Sequence, residues 1–213
     1  MKLLKDDIYC LQYQDGSVYE GQVQDLKKHG NGKLKFANGE SYEGEFQKDS
    51  IHGQGKYITK ELEYQGKWAF GQQTGEGIET WKDGSVYKGE FFNGMKNGTG
   101  EYKWIDGTEY KGEWNDGNMN GFGQFIFKNG NVYKGMWENG RRHGKGELKT
   151  KSGQIYSGEF LNDKKHGKGT LLFTNGQKYV GNFENNKPHG KGKIFQKNGN
   201  VVEGLWEKGV LIQ

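Results

Sequence analysis

The chain has 213 residues, a formal net charge of +4 and 31% hydrophobic residues. A mean hydropathy of -1.04 excludes a thick hydrophobic core, whereas 14% aromatic residues argue against disorder. Together with 38 glycines and a single proline, they suggest rings stacked on a thin scaffold. Cys10 is the only cysteine, which excludes an internal disulfide, and the segment from Met1 to Asp7 has no apolar run typical of a signal peptide or membrane helix. We therefore expect a cytoplasmic protein with a regular scaffold.

Residues 8–18 resemble the second half of a repeat, with Tyr9, Leu11 and Tyr13 on one face of a strand. From residue 19 onward a tyrosine recurs every 23 residues, with one step of 22, and glycine follows two residues after each. The tyrosines are Tyr19, Tyr42, Tyr64, Tyr87, Tyr110, Tyr133, Tyr156 and Tyr179, and Val202 continues the series. The sequence thus predicts a cap at 1–18, eight full repeats at 19–201 and a half-repeat at 202–213.

Each repeat predicts two β-strands because apolar residues and glycines alternate with polar residues. In the sixth repeat Tyr133, Gly135 and Trp137 share one face of the first strand, and a Gly-x-Gly pair, Gly144 and Gly146, opens the same face of the second. We expect aromatic rings of the first strand to lie over these bare glycines, with Trp or Phe opposite the first glycine of the second strand. Charged residues such as Glu45, Lys145 and Lys168 should point the other way.

Turn residues separate the strands. The second turn of a repeat carries a glycine, as in Asn129-Gly130, and matching apolar faces across it requires an odd number of loop residues. We predict a three-residue loop closed by a left-handed glycine, except in the second repeat, where Lys60 and Glu61 stand instead. The predicted fold is all-β, an elongated single-layer antiparallel meander of tandem hairpins with the shape of a rod or trough.

The motif Tyr-x-Gly-x-(Trp/Phe), then His-Gly-x-Gly, then (Asn/Asp)-Gly resembles the membrane occupation and recognition nexus (MORN) repeat. Residues 133–137 and 143–146 are close to a consensus copy, and the match covers residues 19–213. The resemblance implies a scaffold rather than an enzyme, similar to radial-spoke-head proteins of cilia or to modules at membrane junctions.

Catalytic and metal sites are weakly supported. The five histidines lie ten positions after a repeat tyrosine, a place filled elsewhere by Thr74, Asn97 and Asn120, so we interpret them as turn hydrogen-bonders. No helical period follows any Gly-x-Gly, which excludes a dinucleotide fingerprint. We predict no enzyme activity, no cofactor and no metal. The histidines are His29, His52, His143, His166 and His189.

A basic edge is the first candidate partner surface. Residues 133–201 carry 14 Lys and Arg against 5 Asp and Glu, whereas residues 1–132 carry 16 against 20. The cations recur one repeat apart in and beside the first turns, and either a solvated face or an acidic partner explains them. The edge comprises Arg141, Arg142, Lys145, Lys164, Lys165, Lys168, Lys187 and Lys191.

An aromatic groove is the second candidate surface, because a single-layer sheet exposes much of its apolar face. A helix or an extended segment could lie in it, or twist could close it so that the rings only hold the sheet together. The groove residues are Tyr87, Tyr110, Trp114, Tyr133, Trp137 and Tyr156.

Two functions compete. The first is a non-catalytic scaffold that docks other proteins in a cytoskeletal assembly, with the cilium and axoneme suggested by the family alone. The second is a peripheral tether that binds anionic phospholipids through the basic edge. Nucleic acid is disfavoured because the aromatics are committed to stacking. Strand edges at Tyr9 and Trp206 would be open to end-to-end self-association.

Overall fold

The computed structural model describes residues 2–5 and 7–213. Residues 1 and 6 of the predicted cap lie outside the described residues. The described chain contains twenty β-strands and no helix, and thus no helix long and apolar enough to cross a membrane. It forms two compact units, unit 1 with residues up to 105 plus 115–117, and unit 2 with residues 106–114 and 118–213.

Unit 1 contains ten strands, and each pairs antiparallel with the next along the chain. The strands are β1 (Lys2–Lys5), β2 (Ile8–Gln12), β3 (Val18–Gln24), β4 (Lys27–Lys35), β5 (Ser41–Gln47), β6 (Ser50–Ile58), β7 (Leu62–Ala69), β8 (Gln72–Trp81), β9 (Val86–Phe92) and β10 (Met95–Lys103).

Unit 2 also contains ten strands, and from β12 onward each pairs antiparallel with the next. The strands are β11 (Glu109–Asn115), β12 (Asn118–Ile126), β13 (Val132–Glu138), β14 (Arg141–Lys149), β15 (Ile155–Leu161), β16 (Lys164–Leu172), β17 (Lys178–Glu184), β18 (Lys187–Phe195), β19 (Val201–Glu207) and β20 (Val210–Leu211). The predicted all-β antiparallel meander is confirmed. The rod or trough shape stays a prediction.

The strands of Tyr9 and Trp206 are not open edges, which corrects the prediction. β2 pairs with β1 as well as β3, with Tyr9 opposite Leu3. β19 pairs with β20 as well as β18, with Trp206 opposite Leu211. The short outer strands were missed because neither carries the repeat motif.

The first turns are two-residue hairpins. In unit 2, Glu138 pairs with Arg141 across Asn139 and Gly140, whose φ angles are 49° and 76°. Positive φ at both central residues defines a type I′ turn, which matches the twist of the strands. Asn, Asp and Gly fill most of these positions, but Leu26 and Phe70 also adopt positive φ, of 60° and 50°.

The second turns have the predicted three-residue loop. Phe127 N donates to Asn131 O at 2.9 Å, and Gly130 N donates to Phe127 O at 2.8 Å, with φ of 83° at Gly130. The second repeat closes instead with Thr59 N donating to Leu62 O at 2.8 Å. The Thr59 hydroxyl accepts from Leu62 N at 2.9 Å, which replaces the glycine turn.

A bulge in the second strand places the two glycines in different roles. Gly135 pairs with Gly146, but Trp137 pairs with Arg142. Between these two pairs β14 therefore contains two more residues than β13, which forms the bulge. Gly144 lies in this bulge with φ of 61° and is opposite Phe160 of the next repeat. The aromatic residue thus does face the first glycine, but across the boundary between repeats.

The ring that covers the glycine pair is the tyrosine, not the Trp or Phe that we expected. A Cβ added at Gly146 would lie 2.6 Å from Cε2 and 2.7 Å from Cζ of Tyr133, so the ring rests directly on the backbone. The Tyr133 hydroxyl donates to the Met136 carbonyl oxygen at 2.9 Å, beside the bulge. The other seven repeat tyrosines make the equivalent bond, at 2.7–3.0 Å.

The core is a row of rings on what we call the tyrosine face, and the opposite side of the sheet is the polar face. Tyr133 meets Trp137 of its own repeat at 5.2 Å between ring centroids and Phe160 of the next at 5.0 Å, both edge to face. Such contacts repeat along each unit, and their edge-to-face geometry is the one that the quadrupoles of aromatic rings favour. One layer of strands can therefore bury its aromatics against each other.

Candidate partner-binding surfaces

The six predicted groove residues form the core and do not line an open groove. The four tyrosines are 0–1% exposed, Trp114 is 7% and Trp137 is 5% exposed. A docked helix could not contact them without displacing other side chains. This corrects the prediction for Tyr87, Tyr110, Trp114, Tyr133, Trp137 and Tyr156.

Burial also fixes the protonation state of the tyrosines. Loss of solvent raises the pKa of Tyr19 and Tyr133 to about 12 and raises the pKa of Tyr87, Tyr110 and Tyr156 as well. Since every repeat hydroxyl donates its proton to a carbonyl oxygen, the neutral form is required by the fold. These tyrosines are structural groups.

Arg142 does not belong to an exposed basic edge. Its side chain is 18% exposed and lies over three rings, at 5.8, 5.6 and 5.4 Å from Phe127, Tyr133 and Phe160. Its Nε lies 3.1 Å from Asp163 Oδ1, and its Nη2 donates to the Asp163 carbonyl oxygen at 2.7 Å. The guanidinium thus caps the core, as cation–π and stem packing allow.

Lys165 occupies the same register position one repeat later and also turns to the tyrosine face. Its Nζ lies 5.0 Å from the centroid of Tyr156. Burial, followed by the neighbouring charge of Arg142, lowers its pKa. Sequence reasoning missed this role, although Ile51, Met119 and Pro188 at the equivalent positions signalled an inward side chain.

The other six predicted cations remain on the surface and form two rows. Arg141, Lys164 and Lys187 are exposed at the starts of their strands, where Arg141 faces Glu138 and Lys187 faces Glu184. Lys145, Lys168 and Lys191, which we call the lysine row, are exposed at one register position of β14, β16 and β18. The lysine row lies on the polar face.

Shallow depressions run along the lysine row. The larger, of about 670 Å³, is lined by Lys145, Lys168, Phe122 and the backbone of Gly146 and Gly158, together with other residues. A second depression, of about 430 Å³, includes Lys168 and Lys191 in its lining. Within the described residues no member of the row makes an ion pair. Their charges are therefore available to a ligand.

A buried ion pair in unit 1 was not foreseen. Glu79 is 7% exposed and lies 2.6 Å from Lys96 Nζ, which sits 4.8 Å from the Trp81 centroid and 4.9 Å from the Tyr87 centroid. Glu79 takes the place that Leu148 has in its repeat, opposite the repeat tyrosine. In the sequence, a glutamate at a position where another repeat has leucine was the signal for this ion pair. The pair is enclosed by rings and offers no open site.

The histidines lie near the first turns and do not assemble a reactive centre. His143 Nδ1 is 3.1 Å from Glu138 Oε2, and His189 Nε2 is 3.3 Å from Glu184 Oε2, in each case within one hairpin. The part of the chain that the structure describes contains no group of three or more His, Cys, Asp or Glu side chains able to hold a metal. The surfaces offer binding groups but no catalytic constellation among these residues.

Comparison with protein families identifies the repeat. The MORN repeat model matches residues 19–41, 42–60, 64–86, 87–109, 110–132, 133–155, 156–178 and 179–201. The chain therefore belongs to the MORN repeat family. MORN repeats are non-enzymatic and indicate a repeat protein that binds proteins or membranes. A search of curated proteins found no match.

Two solved structures show distant similarity to the chain. The TCP domain of SAS-4 from Drosophila melanogaster, solved in complex with a proline-rich motif of Ana2, is 12% identical with a TM-score of 0.42, over 93% of this chain and 90% of that chain. The G-box domain of the microcephaly protein CPAP, whose analysis suggests a role in centriole elongation, is 14% identical with a TM-score of 0.33, over 94% and 99%.

Proposed function

We propose that this chain is a non-catalytic scaffold that docks a partner protein on the polar face of unit 2. The lysine row is the observation that carries the proposal, since three exposed cations recur at one register position without ion pairs among the described residues. The same position in unit 1 holds Asn31, Gln54, Glu76 and Thr99. A regular scaffold needs no lysine there, so the row marks a binding surface for an acidic partner.

The scaffold would belong to a cytoskeletal assembly. We propose a role similar to that of radial-spoke-head proteins, so the cilium and its axoneme are the first compartment to examine. The partner would contribute carboxylates complementary to the lysine row, which gives association a dependence on salt.

Anionic phospholipid is the second candidate ligand. Residues 133–201 carry a balance of +9, and an excess of lysine attracts anionic headgroups. Glu147 and Glu159 line the same depression as Lys145 and Lys168, however. These carboxylates would oppose a continuous anionic surface, which favours a protein with separated acidic groups.

Extraction of cells that express the tagged chain tests the proposal. Treatment with a non-ionic detergent should leave the protein on the insoluble cytoskeleton, and high salt should release it. Complete release together with the membrane lipids would contradict the scaffold and support the phospholipid tether.

A further inference from the structure

The spacing of the lysine row restricts the kind of segment that can bind it. Successive members lie two strands apart, and strands are separated by about 4.8 Å, so the lysines recur about every 9.6 Å. A segment that crosses the strands along the row meets one cation at each such interval. Its acidic groups must therefore have nearly the same repeat.

A polyproline II segment satisfies this repeat. It rises about 3.1 Å per residue with three residues per turn, so every third side chain returns to the same side after about 9.3 Å. An extended β-strand places residues three apart on opposite faces. In an α-helix seven residues return to nearly the same face but rise about 10.5 Å, so the mismatch with the row grows to about 1.8 Å over three lysines, against about 0.6 Å for polyproline II.

The row has an apolar end. Phe122 occupies the register position of the lysines in β12 and is 47% exposed, and it pairs with Met136, which is 42% exposed. Phe122 also lines the depression shared by Lys145 and Lys168. The order along the polar face is thus one apolar position followed by three cations.

Two of the three lysines in the row have uncharged cross-strand neighbours. Lys168 pairs with Asn182 and Lys191 pairs with Leu205, neither of which is charged, while Lys145 pairs with Glu159. A Cβ added at Gly167 would collide with the Glu159 carboxylate, which shows that this side chain lies against the bulge of the next strand. The depressions are floored by glycine backbone, so a narrow segment can approach closely.

We propose that the polar face of unit 2 binds an extended acidic peptide segment in the polyproline II conformation, with one apolar residue followed by Asp or Glu at every third position. Three carboxylates then meet Lys145, Lys168 and Lys191, and the apolar residue packs on Phe122 and Met136. This inference rests on the proposed function and names the chemistry of the docked partner.

The direct test measures binding of the purified chain to a labelled peptide, Leu-Pro-Ala-Glu-Pro-Ala-Glu-Pro-Ala-Glu, by fluorescence anisotropy. A permuted peptide of identical composition with the three glutamates consecutive is the control, and the reversed sequence covers the opposite chain direction. We expect at least one of the two periodic peptides to bind about 10-fold more tightly than the permuted one, since three exposed ion pairs supply a modest gain.

Matched variants separate the row from net charge. The triple substitution Lys145→Gln, Lys168→Gln and Lys191→Gln should weaken periodic binding about 10-fold. The control removes the same charge from exposed lysines of the second turns of unit 2, through Lys128→Gln, Lys151→Gln and Lys197→Gln, and should change binding less than about twofold. Circular dichroism checks that both variants keep the fold.

Equal affinity for periodic and permuted peptides would overturn the inference, as would equal effects of the two triple variants. Binding to phosphatidylserine vesicles that requires the row, without binding to the peptides, would replace the peptide by a membrane. A chain that stays on the cytoskeleton in cells but shows no periodic preference would lose this inference and keep the proposed function.

Discussion

The repeat tyrosine combines three roles in one side chain. The Tyr133 ring rests on the paired Gly135 and Gly146, its edge meets Trp137 and Phe160, and its hydroxyl donates to the Met136 carbonyl oxygen beside the bulge. Phenylalanine could supply the packing but not the hydrogen bond. A bulge locally disrupts the ladder of backbone hydrogen bonds, and the tyrosine hydroxyl supplies a donor to the neighbouring carbonyl in all eight repeats of this chain.

Tyr133→Phe tests the value of this hydrogen bond. We expect the free energy of unfolding to fall by about 1 to 2 kcal/mol, because the substitution leaves the Met136 carbonyl oxygen without its donor. Urea denaturation measures the change. Tyr9→Phe is the control, since no hydrogen bond of the Tyr9 hydroxyl is found among the described residues. Equal losses of stability from the two substitutions would contradict a stabilising role for the hydrogen bond from Tyr133 to the Met136 carbonyl oxygen.

Gly146→Ala tests the close approach of ring and backbone. The new methyl group would lie 2.6 Å from Cε2 of the buried Tyr133 ring, so the ring must move and stability should fall by about 3 kcal/mol. Gly153→Ala is the contrast, because nothing lies within 4 Å of its added methyl group and only its φ of 95° opposes the change. That substitution should cost about 1 kcal/mol. A smaller loss for Gly146→Ala than for Gly153→Ala would refute the packing argument.

At the scale of the element, the hairpin tolerates variation when neighbouring residues compensate. Glu79 replaces a core leucine, and Lys96 reaches it from the next hairpin under a cover of rings. Neither charge is favourable in the core alone, since burial removes its hydration. The two substitutions are consequently expected to depend on each other.

A double-mutant cycle measures this dependence. Glu79→Leu or Lys96→Met alone should destabilise unit 1 by about 3 kcal/mol, because each leaves an unpaired buried charge, and the double variant should lose less than the sum. The exposed pair Lys33 and Glu43, with side chains 47% and 67% exposed, serves as the control and should couple by less than about 1 kcal/mol. Additive effects at Glu79 and Lys96 would show that the ion pair contributes nothing.

The sequence predicted the elements better than their contacts. Periods of 23 and of two located the hairpins, and the odd loop length gave the second turns. The register within a repeat was harder, because the bulge at Gly144 adds residues that alternation alone does not reveal. The charges of Arg142 and Lys165 predicted exposed side chains, but both turn toward the tyrosine face. Their long aliphatic stems allow the cationic groups to lie over aromatic rings.

At the scale of the whole molecule, the eight buried tyrosines couple stability to alkaline pH. An unfolded tyrosine ionises near pH 10, whereas burial raises the pKa of Tyr19 and Tyr133 to about 12 in the folded chain. The folded state therefore binds more protons above pH 10, and stability that is complete below this pH is lost as pH rises. Each such tyrosine contributes a slope of about 1.4 kcal/mol per pH unit.

Thermal unfolding from pH 8 to pH 11.5 checks this coupling. We expect a nearly constant melting temperature up to about pH 9.5 and a steep fall above pH 10. Tyr133→Phe should make the fall shallower, because it removes one of the groups that ionise on unfolding. An unchanged melting temperature up to pH 11.5 would contradict burial of the neutral tyrosines.

The lysine row is a local feature, whereas the structural features of the repeat occur in both units. The row of rings and the hairpin turns recur in both units. The lysine row belongs to unit 2, whereas the equivalent residues of unit 1 are polar or acidic. Features needed for folding should recur in every repeat, whereas a partner surface can be local. This contrast is the basis for assigning docking to the polar face of unit 2.

Retention of the lysine-row variant on the detergent-extracted cytoskeleton tests the central claim most directly. Cells would express the tagged wild-type chain, the variant Lys145→Gln, Lys168→Gln and Lys191→Gln, or the control Lys128→Gln, Lys151→Gln and Lys197→Gln. We expect wild type and control to stay on the cytoskeleton, whereas the lysine-row variant is released although it is folded. Equal retention of all three chains would contradict docking through the lysine row.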